Sequence, residues 1–227
     1  MPASRRATAR SVAGGQGAGT VAIPLALHVS ARIAERDAED FVYDPTQLAN
    51  ALRDLADAVD PDGVPVCDPQ VLLDGCQTAG DVAGSEQLKA AVEVTRRLRA
   101  TFGEGIALAA VLPGPAAIAD QVGATGAAAA ETVLALGKEF LAAGADLLIV
   151  EDDDELPGAA LTTLANIARF HQAAALSHGA ARYGLPATVP VGLEAPASVP
   201  GVVVTPGALA RDTDIAVLRD WVAAVRG

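Results

Sequence analysis

Short apolar runs and amphipathic helical patterns alternate along this chain, and that alternation leaves few architectures open to it. Residues 21–27 are apolar throughout and lead into His28, as a buried parallel strand would, although Pro24 removes one backbone donor. Asp44-Pro-Thr-Gln opens a helix in which Leu48, Leu52, Leu55 and Val59 recur at helical spacing. Residues 63–67 form a second strand closing on Asp68, and 71–84 read as a long Gly- and Asp-rich loop of the kind that carries function. Ser85 caps a second amphipathic helix ending at Gly103, and 106–112 is a fully buried strand stopped by Pro113-Gly-Pro115. Residues 127–143 are helical up to Gly144, 146–151 are a strand, and 161–183 read as helix again. Residues 188–193 and 201–205 are strand-like, and a closing helix over 212–226 puts Ile215, Leu218, Trp221, Val222 and Val225 on one face.

Strands alternating with helices imply right-handed crossovers and a parallel sheet. The natural closed form is the eight-unit barrel of ~250 residues. With 227 residues and six legible strands, the chain is expected to be α/β, a parallel βα-repeat of TIM-barrel type with an incomplete or reduced barrel. One domain is expected over 21–227. Residues 1–20 are basic, small and Gly-rich without an apolar signal region, so they read as a flexible N-terminal tail. An Arg-rich, acid-free start is also the composition of an organelle-targeting peptide, but the short length and the Gly run favour the tail.

Composition narrows the partners. A formal charge of −12 opposes any partner bound through its phosphates, so nucleic acid is not expected. Hydrophobic residues make up 51% of the chain, yet no apolar run reaches the ~20 residues that span a bilayer. A cytoplasmic protein acting on a small-molecule ligand is the default. Cys67 and Cys76 form neither a CxxC pair nor a disulfide framework and read as ordinary thiols.

A parallel sheet of this kind gathers its functional residues beyond the carboxyl ends of the strands. That places His28, Asp68, Glu151, Asp152, Glu194 and Thr205 around one mouth. His28, Asp68 and Glu151 are the candidate catalytic residues, since an acid raised by burial beside an imidazole suits acid–base work. Gly114, Asp152, Glu194 and Thr205 are the candidate substrate-binding residues; the plainer alternative is that they cap helices and shape turns. His171 and His178 read as surface or capping residues, with no Cys or acid at metal-ligand spacing.

Four segments resemble the uroporphyrinogen decarboxylase superfamily, which also contains corrinoid and cobalamin-independent methyltransferases of the methionine synthase type. They are Phe41-Val-Tyr-Asp-Pro-Thr-Gln-Leu; the stretch from Ile106 through Leu112-Pro-Gly-Pro to Ala119; Phe140-Leu-Ala-Ala-Gly-Ala-Asp-Leu-Leu-Ile-Val-Glu151; and Val202-Val-Val-Thr-Pro-Gly207 through Asp212-Thr. The resemblance implies the barrel fold and methyl-transfer or decarboxylase (lyase) chemistry. It also exposes departures. The decarboxylases place clustered arginines in an N-terminal motif absent here, where Arg5, Arg6 and Arg10 lie in the presumed tail. The methyltransferases hold zinc through an H-x-C pair and a later cysteine, and Ala208 stands where that cysteine is expected. No cofactor is therefore assigned, and a divalent ion held through His28, Asp68 and Glu151 stays open. So does an inactive or accessory role, because a shortened barrel leaves strand edges that a second copy or a partner subunit would cover.

Overall fold

The computed structural model describes residues 4–34 and 43–227. Seven parallel strands are present among the described residues: β1 (Thr20–Ile23), β2 (Gly63–Cys67), β3 (Ala107–Pro113), β4 (Leu147–Glu151), β5 (Ala174–Ser177), β6 (Val189–Pro190) and β7 (Gly201–Val204). They form two sheets, ordered β1-β7-β6 and β2-β3-β4-β5. Hydrogen bonds cross both seams between the sheets. At one, Asp62 N donates to Ala22 O at 3.0 Å while the Asp62 carboxylate accepts from Ala22 N at 2.9 Å. At the other, Ser177 N donates to Pro186 O and Thr188 N to Ser177 O, both at 2.8 Å.

The helices are α1 (Arg5–Ala13), α2 (Leu27–Ile33), α3 (Pro45–Val59), α4 (Pro69–Leu73), α5 (Ala79–Gly84), α6 (Glu86–Phe102), α7 (Pro115–Val122), α8 (Gly126–Ala143), α9 (Thr162–Phe170) and α10 (Ile215–Arg226). Local chemistry sets their ends. Asp44 accepts from Thr46 N and Gln47 N ahead of Pro45 to start α3, and Ser85 accepts from Leu88 N to start α6. Gly144, at φ 101°, closes α8 in the left-handed region that costs a glycine nothing. None of these helices is long and apolar enough to cross a membrane.

Alternation along the strands divides the core in two. One side chain set, including Val21, Ile23, Ala107, Ala109, Val111, Leu147, Ile149, Leu176, Val202 and Val204, packs strand against strand. The other, including Val64, Val66, Leu108, Leu112, Leu148, Val150 and Val203, packs against the helices. Full burial of Leu52, Phe140, Leu164 and Trp221 shows how completely the helices cover this outer face.

Four differences from the sequence expectations have physical causes. Residues 5–13, expected in a flexible tail, form a helix capped by Ser4, whose Ala9 is fully buried in the inter-strand core. Its arginines supply what composition hides: Arg6 and Arg10 Nε donate to Asp146 Oδ1 at 2.7 and 2.8 Å, and Arg99 pairs with Asp146 Oδ2. Residues 161–183, expected as one helix, break after Phe170, and Ala174–Ser177 become β5; the alanines that suggest helix here pair in register with β4. Strand β1 ends at Ile23, before Pro24, so His28 sits in the first turn of α2 rather than at a strand end. The loop expected over 71–84 holds the end of α4 and all of α5. Phe41 and Val42 of the first resembling segment lie outside the described residues.

Candidate functional site

Glu151 ends β4, two residues beyond Ile149 and four beyond Leu147, so it follows them on the inner face and crowns the apolar column. Around it a narrow cleft is lined by Leu25, Leu27, Pro65, Cys67, Asp68 and Val111, with about 10 Å³ of free volume, roughly the room of one water. Burial pushes the Glu151 carboxyl above its ordinary range; the Asp68, Asp153 and Asp152 charges add to that, and His178 opposes it. In contrast to Asp146, Glu151 forms no ion pair with a lysine or arginine among the described residues.

Asp68 shares the cleft and is 5% exposed. Its Oδ1 caps α4, accepting from Gln70 N at 2.8 Å and Val71 N at 3.4 Å, while Oδ2 lies 3.3 Å from His28 Nε2. Burial alone would raise this carboxyl, but the His28 contact and the two amides together hold it below the usual carboxylate range. The same contact outweighs burial at His28 and lifts the imidazole above its ordinary value. The helix-cap role and the imidazole partner are thus one geometry, not alternatives.

The candidate binding residues separate. Asp152 turns away from the cleft and caps α7 from outside, accepting from Ala116 N at 3.0 Å, Ala117 N at 2.9 Å and the Tyr183 hydroxyl at 2.5 Å. Gly114 makes that possible, because a Cβ there would overlap the Asp152 carboxylate. Thr205 is fully buried, its hydroxyl accepting from Leu25 N at 3.1 Å and donating to Gly207 O at 2.9 Å, which ties the end of β7 to the segment after β1. Glu194 is exposed on the segment between β6 and β7 and does not line the cleft. His28, Asp68 and Glu151 are therefore brought together; Gly114, Asp152 and Thr205 frame them; Glu194 stands apart.

Two residues missed in the sequence belong to this end of the molecule. His178 follows β5, with Nε2 at 3.2 Å from Thr205 O, and could be found only once β5 was known to be a strand. Tyr183 is buried with its hydroxyl between Asp152 and Leu156 N, and no spacing pattern announces it. His171 closes α9 as an exposed residue, its ring edge to face with Phe170. Cys67 is buried and its thiol is pushed up by burial, which makes it inert as a nucleophile. Among the described residues no three His, Cys, Asp or Glu side chains are grouped as metal ligands would be, His28, Asp68 and Glu151 included.

No family model matches the chain, and no curated protein matches it. Among solved structures, a methyltransferase from Methanosarcina mazei superposes with a TM-score of 0.72 over 98% of each chain, at 12% identity. A protein described as a lyase/mutase from Burkholderia cenocepacia J2315 covers 91% of this chain and 82% of its own, at 16% identity and a TM-score of 0.36, too far in shape to bear further weight. At 12% identity the first likeness is one of fold: the chain has the α/β architecture of a known methyltransferase, matched nearly end to end.

Proposed function

We propose that this chain is a divergent member of the uroporphyrinogen decarboxylase and methyltransferase superfamily that acts on a small molecule, with protonated Glu151 as general acid at the carboxyl ends of the strands. In this reading the two sheets close through their seam hydrogen bonds into one reduced barrel of seven strands, a single domain whose mouth is the Glu151 cleft. The observation that carries the proposal is the half-buried position of Glu151 in the cleft beside Asp68 without a lysine or arginine ion-pair partner, which favours a carboxyl that keeps its proton. His28, held by Asp68, supplies a positive charge able to fix an anionic group of the substrate while Glu151 protonates the atom from which a carbon group departs.

A polycarboxylate such as a porphyrinogen does not suit this mouth. Arg5, Arg6 and Arg10 lie at the opposite ends of the strands and are engaged by Asp60 and Asp146. Arg182, nearer the mouth, donates to the main-chain carbonyls of Asp152 and Asp153. The methyltransferase fold, together with a single acid, favours group transfer to or from a small substrate.

The test is methyl transfer from small methylated alcohols, amines and thioethers to cob(I)alamin, in which the departing oxygen, nitrogen or sulfur takes up a proton, run beside carbon dioxide release from small carboxylic acids. Wild-type turnover that falls about 100-fold or more in Glu151→Gln supports the proposal; full activity in that variant overturns it. A second reading has its own support in the narrowness of the cleft, with about 10 Å³ free: the chain is an accessory homologue that binds a partner subunit or a second copy. Absence of turnover across both panels, with a stable oligomer by sedimentation, favours that reading.

A further inference from the structure

We infer that His178 is a positioning residue for the proton of Glu151, the two forming a second imidazole–carboxylate pair at the neighbouring ends of β4 and β5; the inference rests on the acid role of Glu151 proposed above. The register carries it. Leu147 pairs with Ala174, Ile149 with Leu176 and Val150 with Ser177, so the next step along the ladder sets Glu151 beside His178. The backbone continues the ladder there, with His178 N donating to Val150 O at 2.8 Å. Leu147, Ile149, Ala174 and Leu176 all face the inter-strand core, and two residues further each strand presents the same face, which puts both side chains on it. Neighbouring strands lie ~4.8 Å apart, and no direct hydrogen bond or ion pair joins the two side chains, so the imidazole acts on the carboxyl across the gap, through its charge or one bridging water.

A hydrogen bond fixes which ring nitrogen does the work. His178 Nε2 is 3.2 Å from the main-chain oxygen of Thr205, which can only accept, so Nε2 carries the hydrogen and proton gain or loss falls to Nδ1. Thr205 is itself held rigid by Leu25 N and Gly207 O, so the imidazole is anchored on a fixed support. The charged groups acting on Glu151 are His178 from β5, Asp68 from β2, and Asp152 and Asp153 from the segment after β4, and Arg182 is occupied by the carbonyls of that segment. When the O–H bond of Glu151 breaks and the substrate takes the proton, the carboxylate left behind faces three acids. The cationic form of His178 opposes them.

Site-resolved NMR titration of the imidazoles and side-chain carboxyls tests this on the full chain without any substrate. In His178→Gln, whose amide can still donate to Thr205 O, the Glu151 midpoint should rise by about one pH unit, a tenfold change in proton affinity. In Glu151→Gln the His178 midpoint should fall by the same amount, because coupling between two sites is reciprocal. Midpoints that stay put in both variants overturn the pairing. Should His178→Gln fail to fold, the Glu151→Gln arm decides alone, an unmoved His178 midpoint counting against the inference. Turnover does not enter this measurement, so its outcome stands apart from that of the proposed activity.

Discussion

Each end of the strands withdraws an acid from water, Asp146 fully and Glu151 in part, and the two are treated in opposite ways. At the amino ends Asp146 is fully buried, yet Arg6, Arg10 and Arg99 surround it and Leu108 N donates to it at 2.9 Å. At the carboxyl ends Glu151 is half-buried beside the buried Asp68, with no arginine or lysine ion pair among the described residues. A compensated acid of this kind fastens structure: here it fastens α1 across the base of the inter-strand core. One that lacks a guanidinium or ammonium partner leans toward its neutral form, because here loss of hydration outweighs the opposing charge of His178. The contrast lies in partners rather than residue type; it marks the amino ends as a structural fastening and is the ground on which chemistry is proposed at the carboxyl ends.

The largest effect should come from breaking the compensated end. Asp146→Ala leaves three guanidinium groups facing one another, and denaturant unfolding should show a loss of about 3–5 kcal/mol. A loss under about 1 kcal/mol would mean that α1 is held by its apolar contacts alone. Next in size is Gly114→Ala, whose methyl must displace the Asp152 carboxylate from the start of α7. Thermal or chemical unfolding should register about 1–3 kcal/mol, and Asp152→Ala combined with it should cost less than the sum, since both disrupt one cap.

The smallest effect, and the one that sharpens the comparison, belongs to Glu151→Gln. The folded-state carboxyl titrates above its unfolded value, so the native state binds more protons than the unfolded chain, and stability falls as pH rises. That fall begins near the ordinary glutamate value of about 4.3 and ends above the raised one. Stability curves of wild type and variant should therefore agree at acidic pH and separate upward, with the variant the more stable by about 1 kcal/mol or less. Parallel curves would place Glu151 among the compensated acids and remove the distinction between the two ends.

Much of the fold was legible because its signals are local. Asp44 with Pro45, Ser85 and Gly144 mark helix ends through bonds to backbone only a few residues away. Gly63–Cys67 and Leu147–Glu151 announce themselves as unbroken apolar runs bounded by acids and glycines. The placement of Asp68 and Glu151 at strand ends came with them. Thr205 and Asp152 were found as positions, but their hydroxyl and carboxylate are committed to backbone partners that no spacing reveals. His178 was hidden behind β5, whose Ala174-Ala-Leu-Ser177 has no strand propensity of its own and takes that form only because β4 offers it a ladder.

By itself, then, the sequence determined the alternation of elements, the parallel sense of the strands and the presence of an acid beyond β4, all of which follow from side-chain periodicity and backbone chemistry over short range. Tertiary structure alone decided which acids are neutralised. Arg6 and Asp146 are separated by 140 residues, and His28 and Asp68 by 40. Only the closing of the fold brings such charges together or keeps them apart, because the Coulomb energy between them depends on distance and burial, neither of which is written in their order along the chain.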